Sequence, residues 1–155
     1  MSFRIRGLDP HPFAHLFGAP ESILAAHGAQ RHAVTSKPSA PCRITLEDAE
    51  IGESVLLVSY EHQPAPTAYR QAGPIFLRER LTPGFDGRDA IPPALAVRPI
   101  SLRGYDAAGA MAAAMLTPGA ELKAAIAEMW AISDIAYAHA HYALRGCFAA
   151  LVERA

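Results

Sequence analysis

With 155 residues, 51% hydrophobic and 19% charged, the chain has the length and composition of one globular domain able to build a core without covalent staples. A formal net charge of -1 with scattered arginines excludes an electrostatic footprint for nucleic acid, and no apolar run approaches the roughly 20 residues of a membrane span. Residues 1–6 lack the apolar stretch of a signal peptide, so a cytoplasmic protein is expected. Its 2 cysteines, Cys42 and Cys147, are then expected as buried thiols rather than a disulfide.

Residues 3–8 alternate apolar and basic side chains and predict a short strand. Asp9 followed by Pro10 is a helix start, predicting a helix over 11–17, and 20–27 predicts a second short helix closed by Gly28. A strand is expected over 30–36. After Pro38 and Pro41 the chain runs through 42–46 into an acidic turn at 47–53. Residues 54–62 are the clearest strand, apolar on both faces at 55–58 and therefore expected in the middle of a sheet. Residues 74–79 predict another strand, with proline tolerated at its first position. The glycine- and aspartate-rich stretch 83–93 reads as an internal loop or flap. A strand over 97–105, a type I turn from Asp106 to Gly109 and a returning strand over 111–116 form a hairpin. The most regular helical signal runs from Thr117-Pro118 to about 132, with Leu122, Ile126, Met129 and Trp130 at 3.6-residue spacing. A strand over 135–142, a turn at 144–146 and a strand over 147–153 close the chain. Hairpin-length connections, short N-terminal helices and one longer helix packed on one face define a single α+β domain over 1–155 with a mainly antiparallel sheet.

The candidate site starts from 135–142. Strand alternation places Ile135, Tyr137, His139 and His141 on one face and Ala136, Ala138 and Ala140 on the other. The alanine face suits close packing against the helix that carries Leu122, Ile126 and Trp130. The opposite face then holds two imidazoles about 7 Å apart at their Cα atoms, from a strand rise of roughly 3.3 Å per residue. With His62 at the end of the central strand, His139 and His141 are the candidate catalytic residues, supplying acid–base or polar contacts. A basic, aromatic set lies near other strand ends: Arg43, Tyr60, Arg103, Tyr105, Asp106 and Arg145. The guanidinium fork matches carboxylate and phosphate, so these residues are the candidate contacts for a small anionic ligand.

Three other readings stay open. His62, His139 and His141 could ligate a metal, with Cys42, Cys147 or Asp106 as further options for the third ligand, although no spacing is diagnostic. The histidines could simply be hydrogen-bonded at a sheet end, with the arginines paired to Glu47, Asp48 or Glu53. The chain could also be a non-enzymatic interaction module, dimerising through the weakly charged strand 111–116. No cofactor is identifiable. Cys147, expected inside an apolar strand, would be quenched as a nucleophile by burial, and Ser36, Ser59 and Ser101 lack a nucleophile-elbow context. His11 and His15 are one turn apart but have no glutamate in metalloprotease spacing.

An ordered set of short motifs runs through nearly the whole chain: Phe3-x-Ile5-x-Gly7-Leu8, Pro41-Cys42-Arg43, Leu46-Glu47-Asp48-Ala49, Gly52-Glu53, Tyr60-Glu61-His62 and Gly73-Pro74-Ile75-Phe76. Ser101-Leu102-Arg103-x-Tyr105-Asp106 and His139-x-His141 with Arg145-Gly146-Cys147-Phe148 complete it. The set resembles a bacterial domain-of-unknown-function family, number 1203 in that series. The resemblance implies a small stand-alone protein and transfers no reaction. The sequence departs from the family pattern after the second histidine, where Tyr142-Ala143-Leu144-Arg145 replaces an Asn-Ala-Arg-like segment.

Overall fold

The computed structural model describes all residues, 1–155. The alternation that begins the chain becomes β1 (Phe3–Arg6), which buries Phe3 and Ile5 and turns Arg4 and Arg6 outward. It lies inside a six-stranded antiparallel sheet with β5 (Asp86–Arg88), β6 (Pro99–Tyr105), β7 (Met111–Pro118), β8 (Tyr137–Tyr142) and β9 (Phe148–Arg154), in the order β5-β1-β9-β8-β6-β7. One face of this sheet carries Ile5, Ile100, Leu102, Ala138, Ala140 and Val152. Helix α3 (Leu122–Trp130) covers it with Leu122, Ile126, Met129 and Trp130. The alanines of β8 do face this helix. Gly104 shows how close the layers are: a Cβ there would lie 2.4 Å from Met129 Sδ and 2.7 Å from Ile135 Cδ1.

A second antiparallel sheet consists of β2 (Gln30–Ala33), β3 (Ser54–Gln63) and β4 (Gln71–Arg78), with β3 in the middle. Helix α1 (Glu21–Ala26) and a 3-10 helix (His11–Leu16) supply Leu24 and Leu16 to a core with Leu56, Val58, Ile75 and Leu77. Asp9 stands just before the 3-10 helix, its carboxylate accepting the His11 backbone N–H at 3.0 Å, but the N-cap position is Pro10 rather than Asp9 and the turn is 3-10 rather than α. The apolar run at 55–58 is thus central, yet in a small sheet of its own. The α+β class and the antiparallel pairing are those the sequence predicts.

Several local expectations are corrected. The stretch 83–93 is not simply a flap: Asp86–Arg88 pairs with β1 as an edge strand, and α2 (Pro93–Ala96) follows after residues 89–92. Three polar or glycine residues satisfying a sheet edge carry no alternation to read. The predicted helix begins late, because Thr117 and Pro118 complete β7 and a 3-10 turn (Gly119–Glu121) precedes α3. Ile135 leaves the histidine face and packs in the core with Met129 and Trp130, since β8 begins only at Tyr137. Cys147 precedes β9 and is half-buried rather than enclosed in an apolar strand. The segment 42–46 pairs only through isolated bridges, and its backbone ties the layers together. Arg43 N–H donates to Phe76 O at 3.0 Å, Leu8 N–H to Arg43 O at 2.8 Å and Ala94 N–H to Leu46 O at 3.1 Å. No helix is long and apolar enough to cross a membrane.

Candidate functional site

The face of β8 opposite α3 presents Tyr137, His139 and His141. Antiparallel register sets Tyr105, Arg103 and Ser101 of β6 directly across from them. His62 comes from the other sheet. It lies where the β3–β4 register shifts, between Glu61 and Gln63, and this irregularity at the strand end accompanies its arrival at the histidine face. Phe148 of β9 fills the space beneath: the His62 ring stacks on it with centroids 5.3 Å apart and planes within 6°.

The three imidazoles form one cluster. Ring centroids are 4.9 Å apart for His62 and His141, 5.7 Å for His62 and His139, and 6.2 Å for His139 and His141. One ring nitrogen from each residue lies within 4.8 Å of the other two. All three side chains are buried, His141 completely. His141 Nδ1 is 3.0 Å from the Gly146 carbonyl oxygen, which can only accept, so Nδ1 carries the proton and Nε2 is left with a bare lone pair. That Nε2, together with the Nδ1 atoms of His62 and His139, is buried without a hydrogen-bond partner. A carbonyl holding the far nitrogen of an imidazole is a usual way of orienting a metal ligand.

The electrostatics keep these rings neutral. Burial pushes His139 down to about 3, and the neighbouring His141, His62 and Arg103 charges lower it further. Burial takes His141 to about 4, the Gly146 bond opposing the shift and Arg103 adding to it. His62 is lowered by burial and by Arg103. Arg103 itself donates to Ser101 Oγ, at 3.3 Å, and has no carboxylate partner. The cluster opens into a cleft of about 670 Å³ that His62 and His139 line together with Gln63, Tyr137 and Glu153.

Of the residues singled out from sequence, His62, His139, His141, Arg103 and Tyr105 come together. The Tyr105 ring is 4.9 Å from His139, and burial raises its phenol pKa. Tyr60 stands further back, packed on Phe13 and Phe148 at 6.2 and 5.8 Å. Asp106 serves its turn, its Oδ1 accepting the backbone N–H groups of Ala108 and Ala110, each at 2.9 Å. Arg43 and Arg145 line a different cleft, from which the Arg43 charge still helps lower His141. Sequence reasoning missed two contributors. Phe148 is a wall for His62, and Gln63 donates to the Tyr137 hydroxyl at 2.9 Å. Only the family motif that ends in Phe148 hinted at the first; for the second the sequence carries no signal beyond adjacency to His62.

Fold and cluster together define an antiparallel α+β protein with three buried, neutral histidines joining two sheets. The chain belongs to the DUF1203 family of proteins of unknown function, whose model matches residues 39–154 and so takes in every residue of the cluster. No curated protein and no solved structure matches it.

Proposed function

We propose that the chain binds a divalent transition metal of the zinc class through His62, His139 and His141. The observation that carries this reading is three buried histidines that each bring a ring nitrogen within 4.8 Å of the other two and each hold a buried ring nitrogen without a hydrogen-bond partner. Buried polar atoms normally find partners, and an unpartnered ring nitrogen on each of three clustered imidazoles leaves a cost that a cation would remove. Imidazole nitrogens suit zinc, copper, iron and nickel. In a tetrahedral site with bonds of 2.0–2.1 Å the nitrogens would stand about 3.4 Å apart, so a modest inward movement would complete the shell. Three histidines leave one position free on the cleft side. Neutral ligands leave the ion its full charge, and with unpaired Arg103 alongside, that position favours water or a small anionic molecule.

A second reading, in which the histidines and Arg103 hold an anion without metal, rests on Arg103 lacking a carboxylate. It is the weaker of the two. Rings titrating at about 3 and 4 are poor acid–base groups at neutral pH and bring no positive charge to an anion.

The test is elemental analysis of protein purified without an affinity tag, followed by titration of chelator-treated protein with Zn²⁺ and Co²⁺. About one equivalent of metal is expected, with the Co²⁺ spectrum of a tetrahedral nitrogen site, and His62→Ala or His141→Ala should lose both. A wild-type chain that neither carries metal nor takes up Zn²⁺ at micromolar concentration would defeat the proposal.

A further inference from the structure

Strand alternation sends Tyr142 to the opposite side of β8 from His141. There it meets a second cleft, of about 270 Å³, walled by Phe76 and Cys147 and by three arginines, Arg43, Arg98 and Arg145. The charges in it do not balance. Arg98 is held by the Asp48 carboxylate through two bonds of 2.6 and 2.8 Å. Arg43 is 2% exposed and has no carboxylate at all. Its donors go to Phe148 O at 2.7 Å, Pro41 O at 2.5 Å and Cys147 Sγ at 3.1 Å. Arg145, exposed at the mouth, makes no ion pair. The Tyr142 ring has the Arg43 and Arg98 guanidinium carbons 4.8 and 5.2 Å from its centroid. Its hydroxyl, on a side chain 95% enclosed, has no hydrogen-bond partner.

A buried guanidinium without a counter-charge and a buried phenol without a partner are each unfavourable, and here they share one small cavity. Both are relieved by the same occupant. We propose that this cleft is a binding site for a small oxyanion, a phosphate or carboxylate group, gripped by Arg43 and Arg145 with the Tyr142 hydroxyl donating to it. The site is separate from the histidine cluster, none of whose three imidazoles lines it. It needs no metal, and its volume limits the occupant to a free anion or the end of a slender metabolite.

Cys147 reports on occupancy, because its thiol lines the cleft whereas Cys42 is fully buried. The experiment follows N-ethylmaleimide labelling of Cys147 in metal-free protein with inorganic phosphate or acetate added, against chloride at equal ionic strength. Removing the metal prevents an anion bound through an ion at the histidines from contributing. Saturable slowing of labelling, at least about fivefold, is expected with one or both oxyanions, and phosphate against acetate distinguishes the two chemistries. Arg145→Gln, a surface change that leaves the core untouched, should raise the half-saturating concentration about tenfold, the usual loss for one charge-assisted hydrogen bond. Tyr142→Phe should raise it by a smaller factor. Protection no greater than that from chloride, or half-saturation unchanged in Arg145→Gln, would overturn the proposal.

Discussion

Two buried histidines held neutral make the stability of the metal-free chain depend on pH in a defined window. In the unfolded chain an imidazole titrates near 6.5, whereas burial puts His139 at about 3 and His141 at about 4. Below 6.5 the unfolded state takes up protons that the folded state refuses. Stability is therefore full above that value and falls with pH until the folded groups themselves titrate. At pH 5 the unfolded histidines lie roughly 1.5 units above the solution pH, a differential of about 2 kcal/mol each and about 4 kcal/mol for the pair. That is a large share of the 5–15 kcal/mol typical of a domain. Urea denaturation followed through Trp130, which is buried beside α3's partners, measures the loss between pH 7 and pH 5. Wild type should lose about 4 kcal/mol more than His139→Gln/His141→Gln over that interval, because the carboxylates and exposed histidines common to both cancel. Equal losses in the two proteins would refute the idea that these rings are neutral and buried in the folded state.

Gly104→Ala should destabilise the fold by about 1–3 kcal/mol, since its Cβ would overlap Met129 Sδ and Ile135 Cδ1; unchanged denaturation midpoints would show that α3 can lift away. Asp48→Ala should cost about 3–5 kcal/mol by leaving Arg98 inside the protein without its carboxylate, and a loss below about 1 kcal/mol in the same assay would mean the pair is effectively solvated.

What the sequence determined by itself was local. Alternation in 135–142 was enough to put His139 and His141 on one side and the alanines against a helix, because side-chain direction in a strand depends only on position. The turn residues around Asp106 and Gly109 and the apolar run at 55–58 were likewise sufficient for a hairpin and a central strand. Edges and ends were not readable: Asp86–Arg88 becomes a strand only because β1 has a free edge, and Ile135 leaves its expected face because β8 starts two residues later.

The site itself was decided by tertiary structure. Nothing in the spacing of His62, 77 residues before His139, says that β3 and β8 belong to different sheets whose faces meet there. Nor does any pattern say that Arg43 joins Arg145 and Tyr142 in a different cleft. Strand periodicity orders side chains within one element, but which elements face each other is set by how whole apolar faces cover one another. Only that packing separates the three histidines of one cluster from the arginines of the other cleft.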